Sequence, residues 1–375
     1  MTITPILFIA ISIKILYIIN SLNIGGAERL ITSTIPLHIK NGYEVDLLLL
    51  DGVESFFLRE LKNQKVKIFF LGLQNNILNP FLIFRIARRM RMYDIVHVHL
   101  FPSLYLVAFA KIFSNSKVRL VYTEHATHNR RRDLLIFKLI DKFIYRQYDH
   151  IIAISQETNS NLKSHIGSDY KITTVNNGVN LDNVITAQSS IASALKLKYQ
   201  TKNLLVQVAS FRAAKDQDTL IRALCLLPEN FHVLFIGEGK RMEYCKNLAL
   251  NLGVSKRITF LGTQNNIGAF LKISKMLIIS SHWEGFGLCA IEGMAVGKPV
   301  VASNVSGLSS IVKDAGLLFE AGNEVKLVKQ ILSLFNDDKL YNETANKCLI
   351  RAKKYSIHKM IEDYEKIYKR LKARN

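Results

Sequence analysis

Apolar residues along this chain fall into two alternating patterns. Short continuous apolar runs occupy residues 14–20, 44–50, 66–70, 94–99, 118–123, 151–155 and 172–175. Between them apolar residues recur at helical spacing, in the run ending at residue 39, over 80–92, and in the runs ending at 112 and 165. Apolar runs without polar alternation belong to strands buried on both faces, the condition of a parallel sheet covered by helices. The turn Asn176-Asn177-Gly178 and the polar residues 180–190 interrupt the alternation and read as a linker, with the boundary near Asp182. The alternation then resumes, with strands at 203–211, 231–236, 257–261, 275–279 and 299–302 and helices at 217–227, 241–252 and 287–296. Residues 307–313 and 316–320 complete that second sheet, and helices follow at 325–336, 339–355 and 357–371. The chain is thus predicted to be α/β, with two doubly wound, Rossmann-like domains at 14–181 and 182–355 and a final helical segment at 356–375.

A length of 375 residues exceeds what one core usually carries, and 49% apolar content excludes disorder. Residues 3–13, continued beyond Lys14, are apolar enough to raise a signal peptide or membrane helix. No basic residue precedes that run, Lys14 interrupts it and no small-residue cleavage site follows. Residues 1–13 therefore read as an apolar leader or misassigned start, with a weak membrane anchor as the alternative. Fifty Lys plus Arg against thirty Asp plus Glu give +20, which calls for an anionic partner: nucleic acid, phosphorylated substrate or acidic lipid. Between Phe81 and Arg146 stand thirteen basic and four acidic residues, among them Arg85, Arg88, Arg89, Arg91 and the run Arg130-Arg131-Arg132. Phe81, Phe84, Phe101, Phe109, Phe113, Phe137, Phe143 and Tyr145 interleave with them. No recognition-helix, RNP or zinc-finger pattern accompanies the charge, so an anionic membrane surface is preferred over nucleic acid as the partner. Cys225, Cys245, Cys289 and Cys348 lack CxxC or metal-ligand spacing, the usage of reduced cytoplasmic thiols.

The candidate chemistry concentrates in residues 280–303, SSHWEGFGLCAIEGMAVGKPVVAS. From Gly285 to Gly297 the only charge is Glu292, which shares a helical stripe with Leu288, Ile291 and Ala295. A carboxylate facing the packed side needs a basic partner or a ligand's hydroxyl groups. Glu284 sits just past a strand, where open parallel sheets bind ligands, and Gly285 and Gly287 allow the backbone close to what binds. The bland alternative is a helix–strand corner with one salt-bridged glutamate. In the first half, Gly25 and Gly26 follow the first strand in a turn that lacks the full GxGxxG spacing. His97 and His99 share a strand face, and Glu124 and His125 end the next strand at the ligand-binding edge.

Two glutamates separated by seven residues, within EGFG and EGMAVGKPVVAS, resemble the signature of retaining family 4 glycosyltransferases of the GT-B architecture. The resemblance spans nearly the whole chain. It implies that Glu284 holds donor-sugar hydroxyls, that the backbone at Phe286, Gly287 and Leu288 approaches sugar and phosphate, and that Glu292 holds the ribose. IGGAE and YTEH resemble the family's N-terminal loop and donor-contacting histidine, which brings in Gly25, Gly26 and His125. Gly237 and Gly239 resemble a nucleotide-side loop, and Thr263 and Gln264 stand where the family contacts the base. Lys215 and Arg212 leave a strand at its carboxyl end, where cations stabilise a departing diphosphate. Many members place that arginine on the equivalent of Ser210, and Arg212 shares its face provided the strand conformation persists.

The implied enzyme moves a sugar from a nucleotide diphosphate donor, UDP favoured over GDP, to a glycan or lipid-linked acceptor in cell-surface polysaccharide synthesis. Configuration is retained, no cofactor and no metal take part, and the enzyme rests on the inner face of the cytoplasmic membrane. The final helix resembles the family's C-terminal helix that returns to the first domain. Two alternatives remain at this level: a GT-B sugar-nucleotide epimerase, and a non-catalytic basic protein that binds lipid or nucleic acid.

Overall fold

Strands form where both faces can be buried. β1 (Lys14–Ile19) buries every residue after Lys14, and each such fully buried Ile or Leu contributes about 1.5–3 kcal/mol. The computed structural model describes residues 12–23, 25–72, 79–126, 132 and 134–374. Its contacts divide the chain into two units, Met1–Asn176 with Met360–Asn375, and Asn177–Lys359.

In the first unit β1 is followed by β2 (Glu44–Leu49), β3 (Ile68–Phe70), β4 (Ile95–His99), β5 (Arg119–Glu124), β6 (His150–Ala153) and β7 (Ile172–Thr174). All pair in parallel in the order β3-β2-β1-β4-β5-β6-β7. Ile15 of β1 lies between Val45 and Ile95, so the direction of winding reverses between β1 and β4. Outside the carboxyl ends of two strands at such a reversal a crevice opens between diverging loops.

The helix Ile357–Lys372 carries Met360, Ile361, Tyr364, Ile367, Tyr368 and Leu371 as one buried stripe. Its portion from Met360 belongs to the first unit. There the Tyr368 hydroxyl lies 2.9 Å from that of Tyr17 and 2.6 Å from His97 Nδ1.

The second unit holds β8 (Asn203–Val208), β9 (Phe231–Ile236), β10 (Ile258–Phe260), β11 (Met276–Ile279), β12 (Val300–Ser303) and β13 (Leu317–Phe319). They pair in parallel in the order β10-β9-β8-β11-β12-β13. Here the reversal falls between β8 and β11, which are followed by Lys215 and Glu284 respectively.

Several expectations need correction. The polar stretch 180–190 is not an open linker, because helices Leu181–Thr186 and Ser190–Lys198 occupy it. Asn180 and Ser189 cap them by accepting from the backbone N–H of Asn183 and Ala192. Residues 307–313 are not a strand: helix Ser309–Val312 stands there, with Leu308, Ile311 and Val312 buried at helical spacing. The strand expected over 203–211 ends at Val208, although Ala209 and Phe211 still donate to the carbonyls of Ile236 and Glu238, each at 2.9 Å. Helices Phe56–Lys62, Leu135–Tyr145 and Ile267–Ile273 carry no counterpart in the sequence reading. Of the apolar leader only Ser12 and Ile13 fall within the described residues. Among the described residues no helix is long and apolar enough to cross a membrane.

Candidate active site

The winding reversal of the second unit decides which side chains meet. After β8 the chain bends at Phe211, where the Arg212 N–H donates to the Ser210 carbonyl at 2.9 Å, so the strand conformation does not persist to Arg212. From Arg212 (φ −131°, ψ 154°) the backbone makes one 3-10 turn at Ala213–Lys215 and swings into a left-handed Asp216 (φ 46°) that caps the helix Gln217–Leu226. Asp216 accepts from the Thr219 N–H and hydroxyl, the latter at 2.6 Å, which offsets its unfavourable backbone angle. Burial raises the Asp216 carboxyl above its ordinary value.

This turn is tied to both central strands. The buried amide of Gln207 in β8 donates to the Lys215 carbonyl and to the Ser280 hydroxyl, each at 3.0 Å, and Ser280 donates to the Asp216 carbonyl at 2.6 Å. The His282 N–H donates to the Ala214 carbonyl at 2.9 Å. With both backbones held, Lys215 Nζ donates to Glu284 Oε1, and Ser281 Oγ donates to the same oxygen at 3.1 Å. The Lys215 and Glu284 side chains are 24% and 18% exposed, so the pair stands at the rim of the sheet, open to a ligand.

The loop that carries Glu284 depends on two glycines. Gly287 has φ +82°, and a Cβ there would fall 2.7 Å from a Leu308 methyl. Gly307 has φ +80°, and its Cβ would fall 2.1 Å from the Glu284 carbonyl oxygen, a contact that only glycine permits. Phe286 packs its ring 5.7 Å from that of Tyr355 and is buried, so it presents only its backbone to the loop. Leu288 opens the helix Leu288–Ala295, in which Glu292 is 2% exposed.

The remaining expected residues of this unit are placed as follows. Arg212 is exposed, and its guanidinium has no side-chain partner among the described residues. Gly237 and Gly239 flank Glu238 in the turn after β9, whose backbone is bonded to Phe211 and Gly262. Thr263 is exposed and gives its N–H to Glu238 Oε1 at 3.3 Å, while the Gln264 amide is engaged by the Leu261 carbonyl at 2.7 Å.

Gly25, Gly26 and His125 belong to the first unit. Gly25, in extended conformation, precedes the helix Gly26–Lys40 at the end of β1, and a Cβ on it would collide with the Glu28 carboxylate at 2.1 Å. His125 follows β5 with Nε2 2.9 Å from His99 Nδ1, and the His99 ring stacks on Tyr17. Burial holds His125 down to about 4, and burial followed by His97 and His125 holds His99 well below the ordinary value. Both rings are neutral at pH 7, so His125 can donate or accept a hydrogen bond but is no cation.

The basic region resolves differently from expectation. Arg132 is not a lipid-facing cation: it is buried in an ion pair with Glu124, which also accepts from the Tyr145 hydroxyl at 2.6 Å. Arg130 and Arg131 lie outside the described residues. Tyr145 is fully buried and Phe109 and Phe137 half-buried, whereas Phe81, Phe84, Phe101, Phe113 and Phe143 are exposed.

Sequence reasoning missed Gln207, Ser281, Asp216 and Gly307. A lone glutamine within the apolar run NLLVQV, and a serine three residues before Glu284, are signals that were available.

Two family models match the chain: "Glycosyltransferase Family 4" over residues 24–183 and "Glycosyl transferases group 1" over residues 191–354. The chain is 26% identical over 288 residues to the N-acetyl-alpha-D-glucosaminyl L-malate synthase of Bacillus anthracis, covering 73% of this chain and 74% of that one. It is 27% identical over 366 residues to the N-acetylgalactosamine-N,N'-diacetylbacillosaminyl-diphospho-undecaprenol 4-alpha-N-acetylgalactosaminyltransferase of Campylobacter jejuni, covering 92% and 96%. Among solved structures, Anabaena HepE in complex with UDP and glucose superposes with a TM-score of 0.82 at 21% identity, covering 95% of this chain and 99% of that one.

Proposed function

The chain belongs to the family 4 glycosyltransferases of the GT-B fold, and from that premise we propose that it moves a sugar from a nucleotide diphosphate donor to a lipid-linked glycan acceptor with retention of configuration. The observation that carries this reading is the Lys215–Glu284 pair at the winding reversal of the second unit. As the bond between anomeric carbon and phosphate oxygen lengthens, negative charge collects on the departing diphosphate, and Lys215 with the exposed Arg212 stabilises it without a metal. Glu284 holds hydroxyls of the donor sugar, and Glu292 holds the ribose. The acceptor oxygen attacks the same face that the phosphate leaves, and the leaving phosphate oxygen takes the acceptor's proton, so no enzyme nucleophile is required. UDP is the favoured nucleotide.

Acceptor choice follows a relative that matches along nearly the whole chain: the Campylobacter enzyme is named for a diphospho-undecaprenol substrate. That supports a lipid-linked acceptor, a role in cell-surface polysaccharide synthesis and a place on the inner face of the cytoplasmic membrane. The net charge of +20 supports contact with anionic lipid. A panel of nucleotide sugars tested for thermal stabilisation checks the proposal. A true donor at about 100 times its Kd adds roughly 2.7 kcal/mol to the folded state, and a panel in which no nucleotide raises the melting temperature overturns it.

Glu292→Gln is expected to keep the fold and to weaken binding of the free nucleoside diphosphate about tenfold, since a hydrogen bond to a charged group contributes about 1.5–3 kcal/mol. Calorimetric titration with UDP gives the answer, and unchanged affinity removes Glu292 from the ribose site.

A further inference from the structure

We propose that the outward face of the helix Leu135–Tyr145 inserts into the interfacial layer of an anionic lipid bilayer, anchoring the first unit by apolar contact as well as by charge. The proposal rests on the membrane contact argued above and gives it a defined element. Leu135, Ile136, Leu139, Ile140 and Phe143 are 83%, 66%, 71%, 36% and 51% exposed. Their spacing places all five on one helical stripe. A run of exposed large apolar residues of this length marks an interaction surface rather than ordinary scatter.

The helix cannot hide that stripe by rolling. Its opposite face is locked: Asp141, Ile144 and Tyr145 are fully buried. Asp141 accepts from the Tyr105 hydroxyl and lies 2.8 Å from His165 Nε2, while Tyr145 donates to Glu124. The helix is therefore apolar on both sides, one facing the core and one facing outward.

Three observations select lipid as the occupant. Lys138 and Arg146 are exposed on the helix and at its C-cap, which suits anionic headgroups. The helix Ser103–Ser114 packs beside it and the helix Leu82–Met90 beside that. These two add Phe113 and Phe84, 65% and 64% exposed with ring centroids 6.4 Å apart, among the basic residues Arg85 and Arg88. Surfaces that mix large apolar and basic side chains fit a bilayer interface, and a chain of net charge +20 repels a second copy of itself. At 11 residues the helix is about 16 Å long, too short to span a bilayer, so it lies in the plane of the interface.

The test is co-sedimentation of the full chain with neutral and anionic vesicles, at low salt and at about 1 M salt, where the Debye length is about 3 Å. The triple variant Leu135→Ser, Leu139→Ser, Phe143→Ser is compared with the unaltered chain, and unchanged melting temperature verifies its fold. The unaltered chain is expected to keep a salt-resistant fraction of its anionic-vesicle binding. The variant is expected to bind at least tenfold more weakly and to lose all binding at high salt. In a second arm, a Leu139→Trp, Trp283→Phe protein should lose fluorescence to lipids brominated along the acyl chain. Binding that salt abolishes for both proteins overturns insertion while leaving electrostatic contact intact, and no binding to any vesicle overturns both. Dimerisation without lipid that the triple variant abolishes assigns the face to a second copy and overturns the proposal.

Discussion

Lys215→Ala is expected to lower turnover by two or more orders of magnitude. Its ammonium is held at the carboxyl edge of the sheet by a turn whose carbonyls are bonded to Gln207 and Ser280, so it is oriented before any charge develops. Preorganised cations of this kind act on the charge of the transition state and contribute about 3 kcal/mol. The loss should therefore appear in kcat at saturating donor more than in donor affinity. Stability should change little, because the pair with Glu284 keeps solvent access on both sides and partly exposed ion pairs contribute about 0–1 kcal/mol. Steady-state kinetics with a purified donor and acceptor give the result. Turnover close to that of the unaltered enzyme would assign the leaving-group charge to Arg212 instead.

Acid is expected to unfold the first unit before the second. His97 and His99 are buried there, along with His38 and His150, and His125 is partly buried; burial is the leading cause that lowers every one of them. Few charges face them. His97 meets Tyr368, Thr123, Tyr17 and Tyr364; His99 meets Tyr17 and His125; His38 meets Glu365; His150 meets Arg370 and Thr173. Their folded values lie below the unfolded value near 6.5, so the unfolded chain binds more protons and stability rises with pH across that window. The stabilisation is complete above about pH 6.5 and is lost as pH falls toward about 4, the value reached by His125 and His150. At pH 5 a histidine held down to about 4, as His125 and His150 are, costs about 2 kcal/mol. Among the described residues of the second unit only His232 is lowered in this way. Hydrogen exchange read separately over the two units at pH 7.5 and pH 5 provides the check, and equal loss of protection in both would sink the histidine account.

The sheets were legible because continuous apolar runs such as KILYII leave no solvent face, and burial on both sides then dictates parallel strands covered by helices. Lys215 and Glu284 were legible for the same reason: each follows a strand, and the ends of strands at a winding reversal are where polar groups collect. What stayed hidden depended on partners distant in sequence. Arg132 reads as one of a run of three arginines, yet the fold turns it inward against Glu124 and Tyr145. The contact of His125 with His99 requires the register in which His99 stands beside Thr123, and nothing local specifies that register. The helix Leu135–Tyr145 carries a local signal, since Lys138, Asp141 and Lys142 recur at helical spacing among its apolar residues, but which of its faces packs inward depends on Tyr105 and His165, distant in sequence.

The stripe of Tyr364 and Tyr368 has a consequence for synthesis. These residues complete the packing around Tyr17 and His97, but they leave the ribosome only after the whole of Asn177–Lys359 has been made. At roughly 5–20 residues per second that delay is on the order of ten seconds or more. Through that interval the earliest-made sheet waits with its central tyrosine and histidine short of their last partners, while the later-made unit can close at once. Released chains truncated before residue 357 should therefore show residues 14–174 open to protease and 203–335 resistant, an inverted order in which the first unit translated is the last to finish.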